Sequence, residues 1–392
     1  MEALLASSLG GLSWEVAYHA RWIAPDAIVM QFGALALMFL ILSQGTINRR
    51  KPELCLGLAS AAAGLACGTK YQAGLLMLPI LIAAYTRADA QNALLTRFPW
   101  GSFVRVFVIF GLFYLMTTPG TVVEPYEFIH DVMFEMRHYQ GGHWGHTVNP
   151  GVHHFSLMFV YLFFAVFSRY AVIAVMFSIM AAVGVWALAK EERRTAVIFL
   201  SMPVCYIVYM SFQSVMIVRN LLILIPFLSI LAARGATFLQ KNYFERGVSR
   251  FAFRALLVVS LLTNALWLGQ ATDSVRSRGR ANDLRELARY LNQHEGTRFL
   301  LSSRVSEELS SWGYPIPGNV VHEVDERGIA VFYSSDAAVQ KASWPSNRWR
   351  YYTLLDAGPH EVNFDYYPDW IGYDRVVILP ARKALELGVP LQ

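Results

Sequence analysis

The amino-acid sequence predicts an all-α, polytopic membrane protein with a small C-terminal α/β domain. Only 16% of the 392 residues are charged, 55% are hydrophobic, and the mean hydropathy is +0.37. A soluble domain usually carries about 25% charged residues. The apolar residues come in runs of about 17 to 20, which is enough to cross roughly 30 Å of hydrocarbon. From about residue 271 these runs stop and charged residues become frequent. We therefore expect a multi-span domain over 1–270 and a separate domain over 271–392.

The apolar runs predict about nine spans. They lie at residues 3–19, 25–43, 53–69, 71–87, 102–118, 171–189, 196–212, 218–236 and 253–270. Another apolar stretch, 155–168, has only about 14 residues, which is short for a span. We expect this stretch to form a re-entrant or interfacial helix.

The distribution of basic residues predicts the orientation of the spans. Cytoplasmic loops of membrane proteins carry an excess of Lys and Arg. Basic clusters follow the predicted second, fourth, sixth and eighth spans, for example Arg49, Arg50 and Lys51, and later Arg193 and Arg194. If these loops are cytoplasmic and 155–168 does not cross, the C-terminal domain is extracytoplasmic. The same loops account for the pI near 9.0, so we expect no nucleic-acid partner.

The C-terminal region has the pattern of a small α/β domain. The segment DLRELARYLNQ (283–293) places Leu284, Leu287, Ala288 and Leu291 on one helical face. The segments RFLLSS and DRVVILP are typical of short buried strands.

The segment HARWIAPDA places three ionisable residues at the start of an apolar helix, namely His19, Arg21 and Asp26. With the predicted orientation, this segment lies at the outer face. Ionisable groups at such depths are costly, so each is a candidate site residue. Asp26 also has a simpler interpretation, because a proline followed by an acid is common at a helix N-terminus.

Two further cations fall at the same face. Lys70 lies in a tight turn between two short spans, and Arg219 lies at the outer end of the eighth span. Each could anchor its span at the lipid headgroups. Alternatively, the two could hold a phosphate, which a guanidinium binds through two hydrogen bonds. Tyr71, which follows Lys70, is a further candidate for substrate binding.

The segment 124–154 is rich in aromatic, acidic and histidine residues. Within it, one helical face predicts an interfacial amphipathic helix and carries Phe128, Ile129, Val132, Met133 and Met136. The polar candidates for substrate binding there are Glu124, Arg137, His138, His143 and His146. These histidines, with His153 and His154, raise the alternative of a zinc site. No cysteine joins them and their spacing fits no closed structural motif, so we expect a polar loop that caps a cavity, and no metal or other cofactor.

Four stretches, in order over about residues 10–236, resemble a known family. They are RWIAPDAIVMQFGALALMFLIL, LGLASAAAGLACGTKYQAGLLMLPILI, EFIHDVMFEMRHYQGGHWGH and RNLLILIPFLSILAARG. Together they are similar to the lipid-linked-sugar glycosyltransferases of GT-C fold. These include the protein O-mannosyltransferases and the aminoarabinose transferases.

This resemblance implies a membrane enzyme of GT-C-like fold with its active site at the outer membrane surface. The donor would be a sugar on a polyprenyl phosphate, and the acceptor a lipid, glycan or protein. By this resemblance, Asp26 binds or orients the reacting groups, Lys70 and Arg219 hold the lipid phosphate, and the membrane is a bacterial inner membrane.

One part of the family pattern has no counterpart in this sequence. Family members begin with a further span and an outer loop that carries an acid pair, which supplies the likely general base. Two alternatives to an active enzyme therefore stay open: a truncated or non-catalytic relative that binds lipid-linked sugar, and a transporter of lipid or sugar.

Overall fold

The computed structural model describes most of the membrane region and part of the C-terminal region. The described residues are 1–20, 25–44, 52–91, 100–142, 146–280, 283–311, 313–321, 328–333, 376–386 and 388.

The N-terminal unit, Met1–Ala265, is helical. Its α-helices, in chain order, are α1 Glu2–Gly11, α2 Trp14–Ala20, α3 Pro25–Gln44, α4 Pro52–Thr69, α5 Met77–Gln91, α6 Trp100–Thr117, α7 Gly120–Val123, α8 Pro125–Gly141, α9 Val152–Phe164, α10 Ala171–Glu191, α11 Arg193–Ser211, α12 Ile225–Tyr243 and α13 Gly247–Arg280, whose last residues belong to the second unit. A first 3₁₀ helix, Tyr71–Leu76, precedes α5, and a second, Val218–Leu224, precedes α12.

Within the described residues, six helical segments are long and apolar enough to cross a membrane. They are Pro25–Gln44, Trp100–Thr117, Ala171–Glu191, Arg193–Ser211, Val218–Tyr243 and Gly247–Gln270. The chain is therefore an integral, mostly helical membrane protein. Each of the six overlaps one of the predicted spans.

The prediction of one continuous span over 3–19 is wrong. The helix ends at Gly11 and a second one starts at Trp14. Two adjacent glycines, Gly10 and Gly11, weaken the helix before the break. The hydroxyl of Ser13 then accepts a hydrogen bond from the Val16 N–H at 3.5 Å, as the cap of a new helix does.

The short apolar stretch after residue 151 forms α9, which has 13 residues. At 1.5 Å per residue, α9 is about 20 Å long, which is less than the thickness of the hydrocarbon core. The length agrees with the expectation that this stretch does not cross the membrane, and its re-entrant or interfacial position stays a prediction.

Helices α10 and α12 pack backbone against backbone through two glycines. A Cβ atom on Gly235 would lie 1.8 Å from the carbonyl oxygen of Met180, and one on Gly184 would lie 1.9 Å from that of Leu231. Helix α4 approaches α6 in the same way, because a Cβ atom on Gly64 would lie 2.4 Å from the Phe110 carbonyl oxygen. Small residues at such contacts let membrane helices associate closely.

Two groups of ion pairs mark helix ends away from Asp26. Glu53 at the start of α4 pairs with Arg105, at 3.0 Å, and with Arg87, at 4.0 Å. Arg87 also donates to the carbonyl of Ser43 at 2.7 Å. Ser43 and Asp26 are 17 residues apart in α3, or about 25 Å along its axis. Arg234 of α12 pairs with Glu191 and Glu192 at 2.8 and 2.9 Å.

The second unit begins at Leu266 and contains a three-stranded sheet. Its further elements are α14 Asp283–Gln293, β1 Phe299–Leu301, α15 Ser303–Ser311, β2 Ile329–Tyr333, β3 Val376–Pro380 and α16 Ala381–Glu386. The order is β1-β2-β3, with β1 parallel and β3 antiparallel to β2. One core cluster joins Leu287 and Leu291 of α14 to Phe299 of β1. The predicted helix over 283–293 and the predicted strands in RFLLSS and DRVVILP are therefore confirmed.

Candidate functional site

Four polar side chains from three separate chain segments converge at one end of the membrane domain. Asp26 is the second residue of α3, Lys70 precedes the first 3₁₀ helix, and Arg219 and Asn220 lie in the second one. The sequence separates these positions by up to 194 residues, since the site runs from 26 to 220. The fold therefore brings together three of the residues that the sequence singled out, Asp26, Lys70 and Arg219.

Lys70 is the centre of the hydrogen-bond network. Its Nζ donates to Asp26 Oδ1 at 2.5 Å and to Asn220 Oδ1 at 2.6 Å. The Asp26 side chain is only 3% exposed, so its carboxylate is shielded from water. A buried carboxylate is stable only when it is paired and hydrogen-bonded. Asp26 therefore does more than cap a helix, because it binds a cation 44 residues away in the chain.

Arg219 approaches the other oxygen of the same carboxylate. Its Nε lies 3.4 Å from Asp26 Oδ2, and its side chain is 40% exposed. The group thus holds two formal positive charges, on Lys70 and Arg219, and one negative charge, on Asp26. A net charge of +1 at a partly desolvated position favours an anionic ligand.

A small pocket opens beside this group. It is lined by Asp26, Val29, Lys70, Gln72, Ala73, Tyr206, Arg219, Asn220 and Ile223. Its cavity volume is about 10 Å³, which is room for about one water molecule. A larger ligand therefore requires movement of the side chains that line the pocket.

Three polar lining residues were not anticipated from the sequence: Asn220, Gln72 and Tyr206. The Tyr206 hydroxyl donates to the backbone carbonyl of Asn220 at 2.6 Å, which fixes the second 3₁₀ helix against α11. The one signal in the sequence was a polar amide inside the apolar run SVMIVRNLLILIPFL. Polar residues within spans usually face the protein interior and have a function.

His19 belongs to a different buried pair. It is 2% exposed on α2, its Nε2 lies 3.6 Å from Glu15 Oε2, and it is not among the described residues that line the pocket. Glu15 is also buried, and neither of its carboxylate oxygens has a hydrogen-bond partner among the described residues. The predicted contact of His19 with the substrate stays a prediction.

The structure does not bring Tyr71 or the candidates of α8 to the pocket. Tyr71 is 44% exposed, and its ring packs edge-on against Phe128 of α8 at 5.8 Å. Glu124 and Arg137 are exposed, and His138 stacks on Phe134 at 6.4 Å. No residue of α8 is buried, which agrees with a surface helix. The binding roles predicted for these residues stay predictions.

The loop that follows α8 is attached to the segment that leads to Arg219. Backbone hydrogen bonds join Met216 N to His146 O at 2.9 Å and Val148 N to Ser214 O at 2.9 Å. The His154 ring contacts the Gln213 carbonyl at 2.7 Å through Nδ1. His146 therefore lies near the segment that enters the second 3₁₀ helix, and the prediction that this loop caps a cavity stays a prediction.

Two of the predicted site residues, Arg21 and His143, lie outside the described residues. In the part of the chain that the structure describes, no three His, Cys, Asp or Glu side chains come together as a metal site.

The chain was also compared with known proteins. No protein-family model, curated protein or solved structure matches it.

Proposed function

We propose that this protein is a membrane glycosyltransferase that transfers a sugar from a polyprenyl-phosphate donor to a lipid, glycan or protein acceptor at the extracytoplasmic face. The observation that carries the proposal is the convergence of Lys70, Arg219 and Asp26 on one small pocket. Two cations at the end of apolar helices suit a phosphate that is attached to a membrane lipid.

The proposed reaction is an inverting displacement at the anomeric carbon. The acceptor oxygen forms a bond to that carbon, the bond from the carbon to the phosphate oxygen breaks, and its electron pair passes to the phosphate. Lys70 and Arg219 stabilise the charge that develops on this leaving group.

The acceptor hydroxyl must lose a proton, and a carboxylate is a suitable general base. Among the described lining residues, Asp26 is the one carboxylate. Both of its oxygens face cations, at 2.5 and 3.4 Å. We therefore assign Asp26 first to positioning Lys70 and Arg219. When the Arg219 guanidinium turns towards the phosphate, Oδ2 becomes available to the acceptor proton.

The proposal includes the GT-C-like architecture with about nine spans, the extracytoplasmic C-terminal domain and a bacterial inner membrane. The assignment of the pocket to the outer side is supported by the separation of charges along the helices. The pocket lies at the start of α3, and the basic residues Arg87 and Arg105 lie beside the opposite end of α3 and the start of α4. Basic residues concentrate on the cytoplasmic side, so the pocket is assigned to the outer side.

A transporter is the second candidate, because three helical segments are irregular. A break separates α1 from α2, and α5 and α12 are each preceded directly by a 3₁₀ helix that adjoins the pocket. Discontinuous helices are typical of substrate sites in transporters. The position of the pocket at a helix end, rather than at mid-span, favours the enzyme.

The test uses the purified chain in lipid nanodiscs with an undecaprenyl-phosphate-linked sugar. We expect saturable binding by the wild type, and binding weakened at least about tenfold by Arg219→Gln and by Lys70→Met, since each removes a charge-assisted hydrogen bond. Arg105→Gln is the matched control, because Arg105 pairs with Glu53 away from the pocket.

The products separate the candidates. An enzyme releases polyprenyl phosphate when an extract that contains acceptors is added, whereas a transporter moves the intact donor across a sealed vesicle. A non-catalytic relative binds and does neither. Equal binding by Arg219→Gln and the wild type would refute the phosphate site.

A further inference from the structure

We infer that the pocket recognises a phosphate joined to a hydroxyl-bearing group, with Asn220 donating to the phosphate and Gln72 accepting from the hydroxyl. This inference rests on the proposed function, because it divides the same pocket into a phosphate half and a hydroxyl half. Neither residue is assigned a role by the sequence motifs.

Asn220 has an unused donor in the pocket. The residue is 3% exposed, its Oδ1 accepts from Lys70 at 2.6 Å, and its Nδ2 has no hydrogen-bond partner among the described residues. The orientation of the amide is fixed, since the opposite one would place an NH₂ group against the Lys70 ammonium, which is also only a donor. A buried donor without an acceptor is costly, so the Asn220 amide is suited to a bound acceptor.

The donors that surround this position select the class of ligand. The Lys70 ammonium, the Arg219 guanidinium and the Asn220 amide all donate, and the Arg219 Nε also has no hydrogen-bond partner among the described residues. A phosphate supplies several acceptor oxygens in a tetrahedral arrangement and forms strong charge-assisted hydrogen bonds. A carboxylate has only two oxygens for the same three groups.

Gln72 presents the opposite polarity. Its side chain lines the pocket, and its Oε1 is buried without a hydrogen-bond partner among the described residues. We assign this oxygen as an acceptor for a group bound in the pocket. An acceptor repels phosphate oxygens, so it requires a donor on the group that the phosphate carries. A sugar hydroxyl provides that donor.

The remaining lining residues are apolar: Val29, Ala73 and Ile223. They offer no polar partner and suit the start of a hydrocarbon chain. The headgroup of a lipid-linked sugar and a free sugar phosphate would make the same polar contacts. Only the lipid-linked sugar would gain additional affinity from the apolar residues of the pocket.

The experiment measures affinity in nanodiscs for four probes: inorganic phosphate, farnesyl phosphate, a sugar 1-phosphate and a farnesyl-phosphate-linked sugar. The variants are Asn220→Asp, Gln72→Leu and the control Asn242→Asp. Asn220→Asp keeps the oxygen that accepts from Lys70 and loses the amide donor. Asn242 is exposed on α12, and its amide donates to its own helix.

We expect Asn220→Asp to weaken all four probes by roughly 10- to 100-fold, because a hydrogen bond to a charged group is lost and the new carboxylate repels the phosphate. Gln72→Leu should leave inorganic phosphate and farnesyl phosphate unchanged and weaken both sugar-bearing probes by about tenfold. Tighter binding of the farnesyl-linked sugar than of the sugar 1-phosphate identifies the lipid as the source. The reverse order identifies the free sugar phosphate and refutes the lipid donor.

A direct readout separates ligand contact from a purely structural role. In protein labelled with ¹⁵N-asparagine, the side-chain amide signals that disappear in Asn220→Leu belong to Asn220. Phosphate should shift this pair of signals. If the wild type binds phosphate and the pair does not move, this inference fails while the proposed function stands. If the wild type binds none of the probes, the proposed function itself fails.

Discussion

Removal of the charge on Asp26 should destabilise the membrane domain, and a second substitution at Lys70 should restore most of the loss. The two side chains are 3% and 18% exposed and are joined at 2.5 Å. At an effective dielectric constant of about 20, their attraction is roughly 7 kcal/mol. Desolvation offsets part of this value, and removing one partner of a buried pair costs about 3–5 kcal/mol.

The contact with Arg219 adds little to this figure, because the Arg219 side chain is 40% exposed and water screens such a pair. At about 2 °C per kcal/mol for a unit of this size, Asp26→Asn should lower the Tm by roughly 6–10 °C. Lys70→Met should have a similar effect. In the double variant neither Asp26 nor Lys70 is left without its partner. Its loss of Tm should therefore be less than half of the sum of the two single losses.

The chain supplies its own reporter for this measurement. Its cysteines, Cys55, Cys67 and Cys205, are free and buried or partly buried, so a thiol-reactive dye follows their exposure on heating in detergent. Asp131→Asn is the matched control, since Asp131 is 76% exposed on α8 and its loss should leave the Tm unchanged. Strictly additive losses from the two single variants would show that Asp26 and Lys70 do not stabilise one another.

Three further predictions follow from other features. Gly235→Ala should lower the Tm in the same assay, because its Cβ would lie 1.8 Å from the Met180 carbonyl oxygen, whereas Gly269→Ala, with nothing within 4 Å, should not. Burial lowers the pKa of His154 from its ordinary value of 6.5, so below that pH the unfolded chain binds more protons and stability should fall as the pH drops. His154→Asn should reduce this pH dependence, and the exposed His130→Asn should leave it in place. Alkaline phosphatase fused after Glu192 should be inactive and fused after Gln392 active, and the opposite result would reverse the assigned orientation.

Elements with a regular apolar pattern could be predicted from the sequence. The helix over 283–293 was predicted at the bounds that the structure gives it, because a leucine face with helical spacing packs on the sheet. The bounds of the predicted span over 53–69 match those of the helix α4, Pro52–Thr69, and its crossing of the membrane stays a prediction. Hydropathy is set by side-chain composition, so it locates membrane segments well.

Hydropathy carries little information on backbone regularity within those segments. The break after Gly11 and the 3₁₀ helix at Val218–Leu224 have the same apolar composition as a regular span. The strand β2, Ile329–Tyr333, was also not predicted. Its short apolar run is compatible with helix or strand until its partners β1 and β3 are known.

The charged part of the site was predictable and the neutral part was not. Asp26, Lys70 and Arg219 were conspicuous because a charge is costly among apolar residues. Their mutual contacts, and the recruitment of Asn220 and Gln72, depend on how α3 and the two 3₁₀ helices come together. Neutral amides are common in any sequence, so their significance appears only when a buried amide nitrogen or oxygen is found without a partner.

The two glycines between α10 and α12 restrict which sequences can adopt this structure. Most lipid-facing positions accept any apolar residue, because the hydrocarbon around them adjusts its shape. At positions 184 and 235 the methyl group of an alanine would overlap a carbonyl oxygen of the opposite helix. A related chain with larger residues at both positions would need a different arrangement of these helices. Glycine at both positions is therefore a sharper criterion for shared architecture than similarity in the surrounding apolar residues.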